Sequence, residues 1–295
     1  MNNEKITKLL IALLGKQAAY RLGRALYQQA RGDIANSMAT NGELMVQRCV
    51  LNAWRKSFIN YNKLIVFDVG ANIGDWSYAF LENYGRFDDL QSLELYLFEP
   101  AASTAVTLKN RLNKFDQFDN LLHFEQLALS SAYGVDQFYI KCNEDNSGTN
   151  SLYQQDFYSS PVNVTKCTVS SFCESHKVKR IHLFKCDTEG HDMEVIRGAL
   201  PLLAEGKIDV FQFEYNYRWI YARNFLRDVF VLIEKLPYKI AKLQSDHLLV
   251  FNEWHFELEK FFEGNYALIH NDALGWFPTK IALFDRFNSL CLDIE

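Results

Sequence analysis

Apolar residues recur at helical spacing from the start of the chain. Between Glu4 and Arg31 they are Ile6, Leu9, Leu10, Leu13, Leu14, Leu22 and Leu26, and Lys5, Lys8, Lys16, Arg21, Arg24 and Arg31 fill much of the remainder. The pattern predicts a basic amphipathic segment, interrupted at Gly15 and Gly23 and closed by Arg31-Gly32-Asp33. A second helical pattern runs from about Glu43 to Phe58. At Leu64 the texture changes to short apolar runs alternating with helical patterns, the mark of βαβ units and a mostly parallel sheet. Strands are expected at Leu64–Val69, Leu93–Phe98, Leu122–Leu127, Ile181–Cys186 and Ile208–Phe213. Helices are expected at Trp76–Asn83, Thr104–Phe115, Val169–His176 and Met193–Ala204. Two further runs, Tyr238–Leu243 and His247–Phe251, lie close enough to pair antiparallel at a sheet edge, and the polar cluster Asn143–Asn150 reads as a loop. The organisation is an N-terminal helical extension over 1–60 and an α/β domain over 61–295, with no internal repeat.

Composition narrows the class. A chain of 295 residues, 48% hydrophobic and 23% charged, can bury a full α/β core. Its net charge of −5 provides no overall positive field, so nucleic acid is not an expected partner. Cys49, Cys142, Cys167, Cys173, Cys186 and Cys291 form no C-x-x-C pair and no Cys/His cluster at zinc spacing, and read as free thiols of a reducing compartment. The opening Met1-Asn2-Asn3-Glu4 lacks a signal-peptide layout, and the apolar stretch Leu9–Leu14 falls far short of the roughly 20 residues a spanning helix needs. A soluble, cytoplasmic protein is expected, with the basic N-terminal helix offering a contact to a membrane surface or a partner.

Asp68-Val69-Gly70-Ala71-Asn72-Ile73-Gly74 follows directly on the first strand and opens a helix. Gly70 and Gly74 let the backbone pass close to a ligand. The spacing D-x-G-x-x-x-G lacks the middle glycine that admits a pyrophosphate, so a cofactor without a phosphate bridge fits better. Asp68 either meets the ligand or braces the turn. Phe98-Glu99-Pro100 ends the second strand and sets a carboxylate beside that turn, where a ribose diol can donate to it. The fourth strand ends in Lys185-Cys186-Asp187-Thr188-Glu189-Gly190-His191-Asp192, a density of ionisable groups that a structural strand end does not need.

DVGANIGDWS, LFEP and KCDTEGHDMEVIRGA, in this order, resemble the FkbM family of S-adenosylmethionine-dependent methyltransferases over about Tyr61 to Phe251. The resemblance implies a Rossmann-like class I methyltransferase: a mostly parallel seven-stranded sheet of order 3-2-1-4-5-7-6, its last strand antiparallel, with helices on both faces. It implies S-adenosylmethionine as cofactor, with Asp68, Gly70, Asn72 and Gly74 around the methionine end and Glu99 at the ribose. Where the family often has Asn-x-Ala beside the adenine, this chain has Gln126-Leu127-Ala128, which keeps Ala128 as a candidate. In the family's D-x-E-G-x-E, Asp187 and Glu189 match and Asp192 replaces the last Glu; the two matching acids are expected to hold the cofactor's charged end or the acceptor.

Methyl transfer needs an aligned acceptor and a base for its proton, and Asp187, His191 and Glu214 are the candidates. His191 is either that base or an exposed residue in a helix's first turn. The aromatics of Tyr215-Asn216-Tyr217-Arg218-Trp219-Ile220-Tyr221 either suit a polyhydroxylated acceptor or pack inward. The expected reaction is O-methylation of a sugar, glycan or small natural product. The alternatives are an N- or protein methyltransferase, a NAD-dependent oxidoreductase and a non-catalytic nucleoside-binding module. Asp187, Glu189 and Glu214 offer oxygen ligands, but no spacing demands a metal, and metal-independent activity is expected.

Overall fold

Alternation along the first strand sorts the core into two layers. In the computed structural model, which describes residues 3–33, 37–56, 63–86, 92–115, 121–140, 151–153 and 161–292, that strand is β1 (Leu64–Val69). Leu64 and Val66 turn to a layer of α3 (Glu43–Lys56), α4 (Asp75–Tyr84) and α5 (Ala102–Leu112), packing with Val50, Trp54, Phe80 and Leu108. Phe67 and Val69 turn to the opposite layer of α6 (Val169–Ser175) and α7 (Asp192–Ala204), packing with Phe172, Met193 and Ile196. In α3, Val46, Val50, Leu51 and Trp54 repeat at helical spacing and are buried in the core of the sheet. Ahead of it, α1 (Asn3–Leu14) and α2 (Lys16–Ala30) break at Gly15, whose φ of 77° turns the chain. Gly23 lies inside α2 without interrupting it.

The remaining elements are β2 (Leu93–Phe98), β3 (Leu122–Glu125), β4 (Ala128–Leu129), β5 (Gly134–Phe138), β6 (Val162–Cys167), β7 (Leu183–Cys186), β8 (Val210–Tyr215), α8 (Leu226–Ile233), β9 (Tyr238–Leu243), β10 (Leu248–Phe251), β11 (Gly264–His270), β12 (Thr279–Phe284) and β13 (Leu290–Leu292). Ten strands form one sheet in the order β13-β12-β10-β9-β11-β8-β7-β1-β2-β3. From β3 to β8 the pairs are parallel, and β11 runs antiparallel between β8 and β9. Taken in chain order, the seven strands from β3 to β9 follow 3-2-1-4-5-7-6.

The expected mostly parallel, seven-stranded sheet is corrected to a mixed sheet of ten. The chain leaves β9 by a tight turn, in which Gln244 N–H donates to the His247 carbonyl at 3.0 Å, and returns antiparallel as β10. The free edge of β10 then takes β12 in parallel, and β13 closes on β12. The β9–β10 pair, expected at an edge, therefore lies inside the sheet. A separate three-stranded sheet, β4-β6-β5, stands beside the carboxyl end of β2.

Among the described residues no helix is long and apolar enough to cross a membrane. Cys49, Cys167, Cys173, Cys186 and Cys291 are free thiols, while Cys142, the loop Asn143–Asn150 and the 60/61 boundary lie outside the described residues.

Candidate active site

Three backbone crossings build the site at the carboxyl ends of β1, β2 and β7. Gly70 and Ala71 N–H both donate to the Phe98 carbonyl at 3.0 Å, and Asp187 N–H donates to the Val69 carbonyl at 2.9 Å. Gly70 sits at φ 75°, and a Cβ there would lie 1.9 Å from the Asp187 carbonyl oxygen. Its missing side chain is required by the chain's own crossing. Gly74, at φ 85°, starts α4, and a Cβ there would meet Leu108 Cδ1 at 2.6 Å, so it serves helix packing.

Asn72 occupies the left-handed region at φ 48°, which aims its N–H at Glu99 Oε2, 3.0 Å away. Ala101 N–H donates to Glu99 Oε1 at 2.9 Å. Burial pushes the Glu99 carboxyl up to about 7, with the two N–H donors opposing. A carboxylate has about four acceptor positions, so about two remain for further donors.

These residues open on a cleft. Asn72, Glu99, Asp187, Thr188, Glu189 and His191 supply its polar wall, and Phe98, Pro100, Leu127, Ala128, Phe138 and Leu152 its apolar wall. Gly70, Asn72, Glu99, Ala128, Asp187, Glu189 and His191, singled out in the sequence, thus share one cleft; Asp68, Gly74 and Glu214 do not line it. A second cavity, walled by Asn41, Glu43 and Lys185, meets the first at Gly70, Asn72 and Asp187.

Asp68 is fully buried under the turn. Its Oδ2 accepts from Ser77 Oγ at 2.6 Å, and Lys185 Nζ lies 3.6 Å from its Oδ1 and 3.3 Å from Asp187 Oδ2. Burial disfavours the Lys185 cation, but Asp187, Asp68 and Glu43 outweigh that and hold its pKa above the usual lysine range. Lys185 thereby ties the first strand's acid to the fourth strand's.

Glu189, at φ 55°, pairs with Arg218 at 2.8 Å. Burial and the Asp187 charge raise its pKa, against the pull of Arg218. His191 is only 6% exposed, contrary to an exposed place in the first turn of α7. Its Nε2 lies 3.0 Å from Ser130 Oγ and its Nδ1 3.2 Å from Tyr153 Oη, so one nitrogen donates and the other accepts. Burial lowers the imidazole to about 4, leaving it neutral at neutral pH. Glu214 is buried and accepts from Asn216 Nδ2 at 2.5 Å. Burial and the neighbouring Asp187, Glu189 and Glu263 push its pKa well above the usual range, which suits a neutral acid better than a base. Trp219 packs inward and donates to the Glu214 carbonyl at 2.9 Å, while Tyr217 and Tyr221 are exposed.

Sequence reasoning missed Ser130 and Tyr153 on His191, Lys185 as a link between carboxylates, and the apolar wall from Phe138 and Leu152. Phe138 comes from β5, in the small sheet, and Ser151 Oγ fixes the Leu152 segment by donating to the Glu189 carbonyl at 3.0 Å. Lys185 carried a signal, since a lysine in an otherwise apolar strand must find a partner. Among the described residues no group of three or more His, Cys, Asp or Glu is placed to hold a metal ion.

The profile of the methyltransferase FkbM domain matches residues 68–256, well over half of the chain. The chain belongs to the FkbM methyltransferase family. Membership makes it an S-adenosylmethionine-dependent methyltransferase and sets the nicotinamide reading aside. No curated protein matches the chain. Among solved structures it is similar to the methyltransferase FkbM of Methylobacillus flagellatus KT, at 14% identity and a TM-score of 0.45, over 73% of this chain and 46% of that one. The chain thus spans about half the length of that relative. It is also similar to the magnesium protoporphyrin IX methyltransferase of Synechocystis PCC 6803 with bound S-adenosylmethionine, at 12% identity and a TM-score of 0.38, over 77% of this chain and 80% of that one. A S-adenosylmethionine-dependent methyltransferase from Agrobacterium tumefaciens is similar at 8% identity and a TM-score of 0.41, over 78% and 62% of the two chains. At TM-scores below 0.5 these are likenesses of outline, and the family match makes the assignment.

The cleft's features fit the cofactor: a buried carboxylate with acceptor capacity to spare for a diol, and an apolar wall for a purine. Removing that carboxylate deletes hydrogen bonds to a charged acceptor, so Glu99→Ala is expected to weaken cofactor binding by about 1.5–3 kcal/mol, roughly 10- to 150-fold, in titration calorimetry. Hydroxyl donors favour the ionised form of a group whose free-protein pKa is about 7. Affinity should therefore rise as pH climbs through about 7, and Glu99→Gln should flatten the profile. A profile unchanged by Glu99→Gln removes Glu99 from the contact.

Proposed function

We propose that the chain methylates a hydroxyl oxygen of a sugar, glycan or small natural product. The observation that carries the reading is the buried imidazole of His191, held between the Ser130 and Tyr153 hydroxyls on the wall of the cleft that Gly70, Asn72 and Glu99 also line. S-adenosylmethionine supplies an electrophilic methyl carbon, so the O–C bond forms as the C–S bond breaks and its electron pair goes to sulfur. The chain's tasks are to hold both reactants in line and to take the hydroxyl proton.

Glu99 is assigned to the ribose diol, and the wall containing Pro100 and Ala128 to the adenine. Gly70 and Asn72 receive the methionine end; Asp68 acts through Lys185, and Gly74 through the seating of α4. Asp187 stands on the wall common to both cavities and is assigned to orienting the acceptor, with Glu189 held beside it by Arg218. His191 takes the proton at a ring nitrogen, directly or through the Ser130 or Tyr153 hydroxyl that bonds to it. The exposed rings of Tyr217 and Tyr221, just beyond β8, suit stacking against a polyhydroxylated acceptor.

The test supplies methyl-labelled cofactor with pooled sugars, glycans and hydroxylated small molecules, and locates the label by fragmentation. The expected product is a methyl ether. Label found on an amine, or on a protein side chain, overturns the proposal.

A further inference from the structure

We propose that α1 and α2 form an arm that lays the apolar stripe of α1 into the headgroup region of an anionic bilayer. At 3.6 residues per turn, Ile6, Leu9, Leu10, Leu13 and Leu14 cover an arc of about 140° on α1, with Glu4 and Lys8 opposite and Lys5 on its border. All five are exposed, Leu13 by 73%, and no residue of α2 is buried. A soluble fold does not leave such a stripe uncovered without a use for it.

The arm is nonetheless fixed to the body. Tyr27 Oη donates to Glu257 at 2.6 Å, Arg31 pairs with the same carboxylate at 3.2 Å, and Arg24 lies 5.8 Å over the Phe262 ring. Tyr217, next to the Arg218 that pairs with Glu189, shares a groove with Tyr20 and Tyr27 of α2. The arm is thereby joined to the part of the fold that carries the cleft's Arg218–Glu189 pair.

Charge selects the occupant. Residues 4–30 carry five cations and one anion, a net +4 in a chain whose total is −5, which leaves −9 on the rest. A two-fold dimer through the arm would set +4 against +4, and like charges oppose such pairing. An anionic lipid surface attracts the arm and repels the acidic body, which leaves the stripe of α1 as the inserted face.

The test is co-sedimentation of the full chain with vesicles of phosphatidylcholine alone or with about one third phosphatidylglycerol. Binding to the anionic vesicles is expected to be at least about tenfold tighter than to the neutral ones, and to weaken in about 0.5 M salt. Leu9→Glu with Leu13→Glu should abolish it, and Lys5→Glu with Lys8→Glu should weaken it, both with unchanged cofactor affinity as the check on folding. Absence of binding to either vesicle overturns the proposal, as does equal binding to both. Anionic binding that survives the two leucine substitutions is charge attraction without insertion and also overturns it. Concentration-dependent self-association lost in Leu13→Glu, with no vesicle binding, assigns the stripe to a second copy instead.

Discussion

Lys185→Met is expected to lower the unfolding free energy by about 3–5 kcal/mol near pH 8, because it strips the cation from buried carboxylates. Lys185 is 6% exposed, and its charge opposes the burial that raises the pKa values of Asp68 and Glu43. A carboxyl whose folded pKa lies above its unfolded value binds protons more tightly when folded, so stability falls as pH rises between the two values. Loss of Lys185 moves the folded values higher still and carries that fall further into the neutral range. The deficit should therefore shrink as pH is lowered toward about 5, and adding Asp68→Asn should recover part of it. Urea denaturation of the three proteins at both pH values measures this. A deficit under about 1 kcal/mol near pH 8 would mean that the Lys185 cation is not what balances these acids.

His191→Gln is expected to lower methyl transfer by about 10²–10⁴ while cofactor affinity stays within a few-fold. The amide can still donate to one of the Ser130 and Tyr153 hydroxyls and accept from the other, so the wall is kept and only the proton site is lost. A base with a pKa near 4 is weaker than one near 7, which places the effect toward the lower end of that range. It also moves the acid limb: turnover should stay level from about pH 8 to 6 and decline only toward about 4, rather than through the ordinary imidazole range near 6.5. Near-normal turnover in His191→Gln would transfer the proton to Asp187.

Those two side chains divide between what could and could not be read from the chain. β1 and β2 were legible to the residue, because alternating apolar runs ended at a glycine turn and at Glu99. The parallel half followed from the alternation of strands with helices. β11 was missed because its apolar run, Tyr266 to Ile269, is only four residues long, too short for periodicity to separate a strand from a helix. β12 and β13 owe their place to the free edge of β10, a feature of topology that local pattern does not record. Within the site, Gly70 and Glu99 were legible because each sits at a strand end with a spacing tied to backbone geometry, whereas Asn72 was named only through the family resemblance. His191 was legible as a candidate but not as buried, since its cover comes from Ser130 and Tyr153, at 61 and 38 residues' remove. Asp68 was read as a ligand or a brace; its burial under the turn beside Ser77 and Lys185 places it with the brace.

The cleft between Glu99 and Asp187 is expected to hold S-adenosylmethionine with its methyl group toward the boundary of the two cavities. A crystal structure with S-adenosylhomocysteine tests it most directly. The expected result has both ribose hydroxyls donating to Glu99 and the adenine against Pro100 and Ala128. The sulfur should lie on the wall formed by Gly70, Asn72 and Asp187. A nucleoside bound elsewhere, or bound here with its ribose out of reach of Glu99, would contradict it.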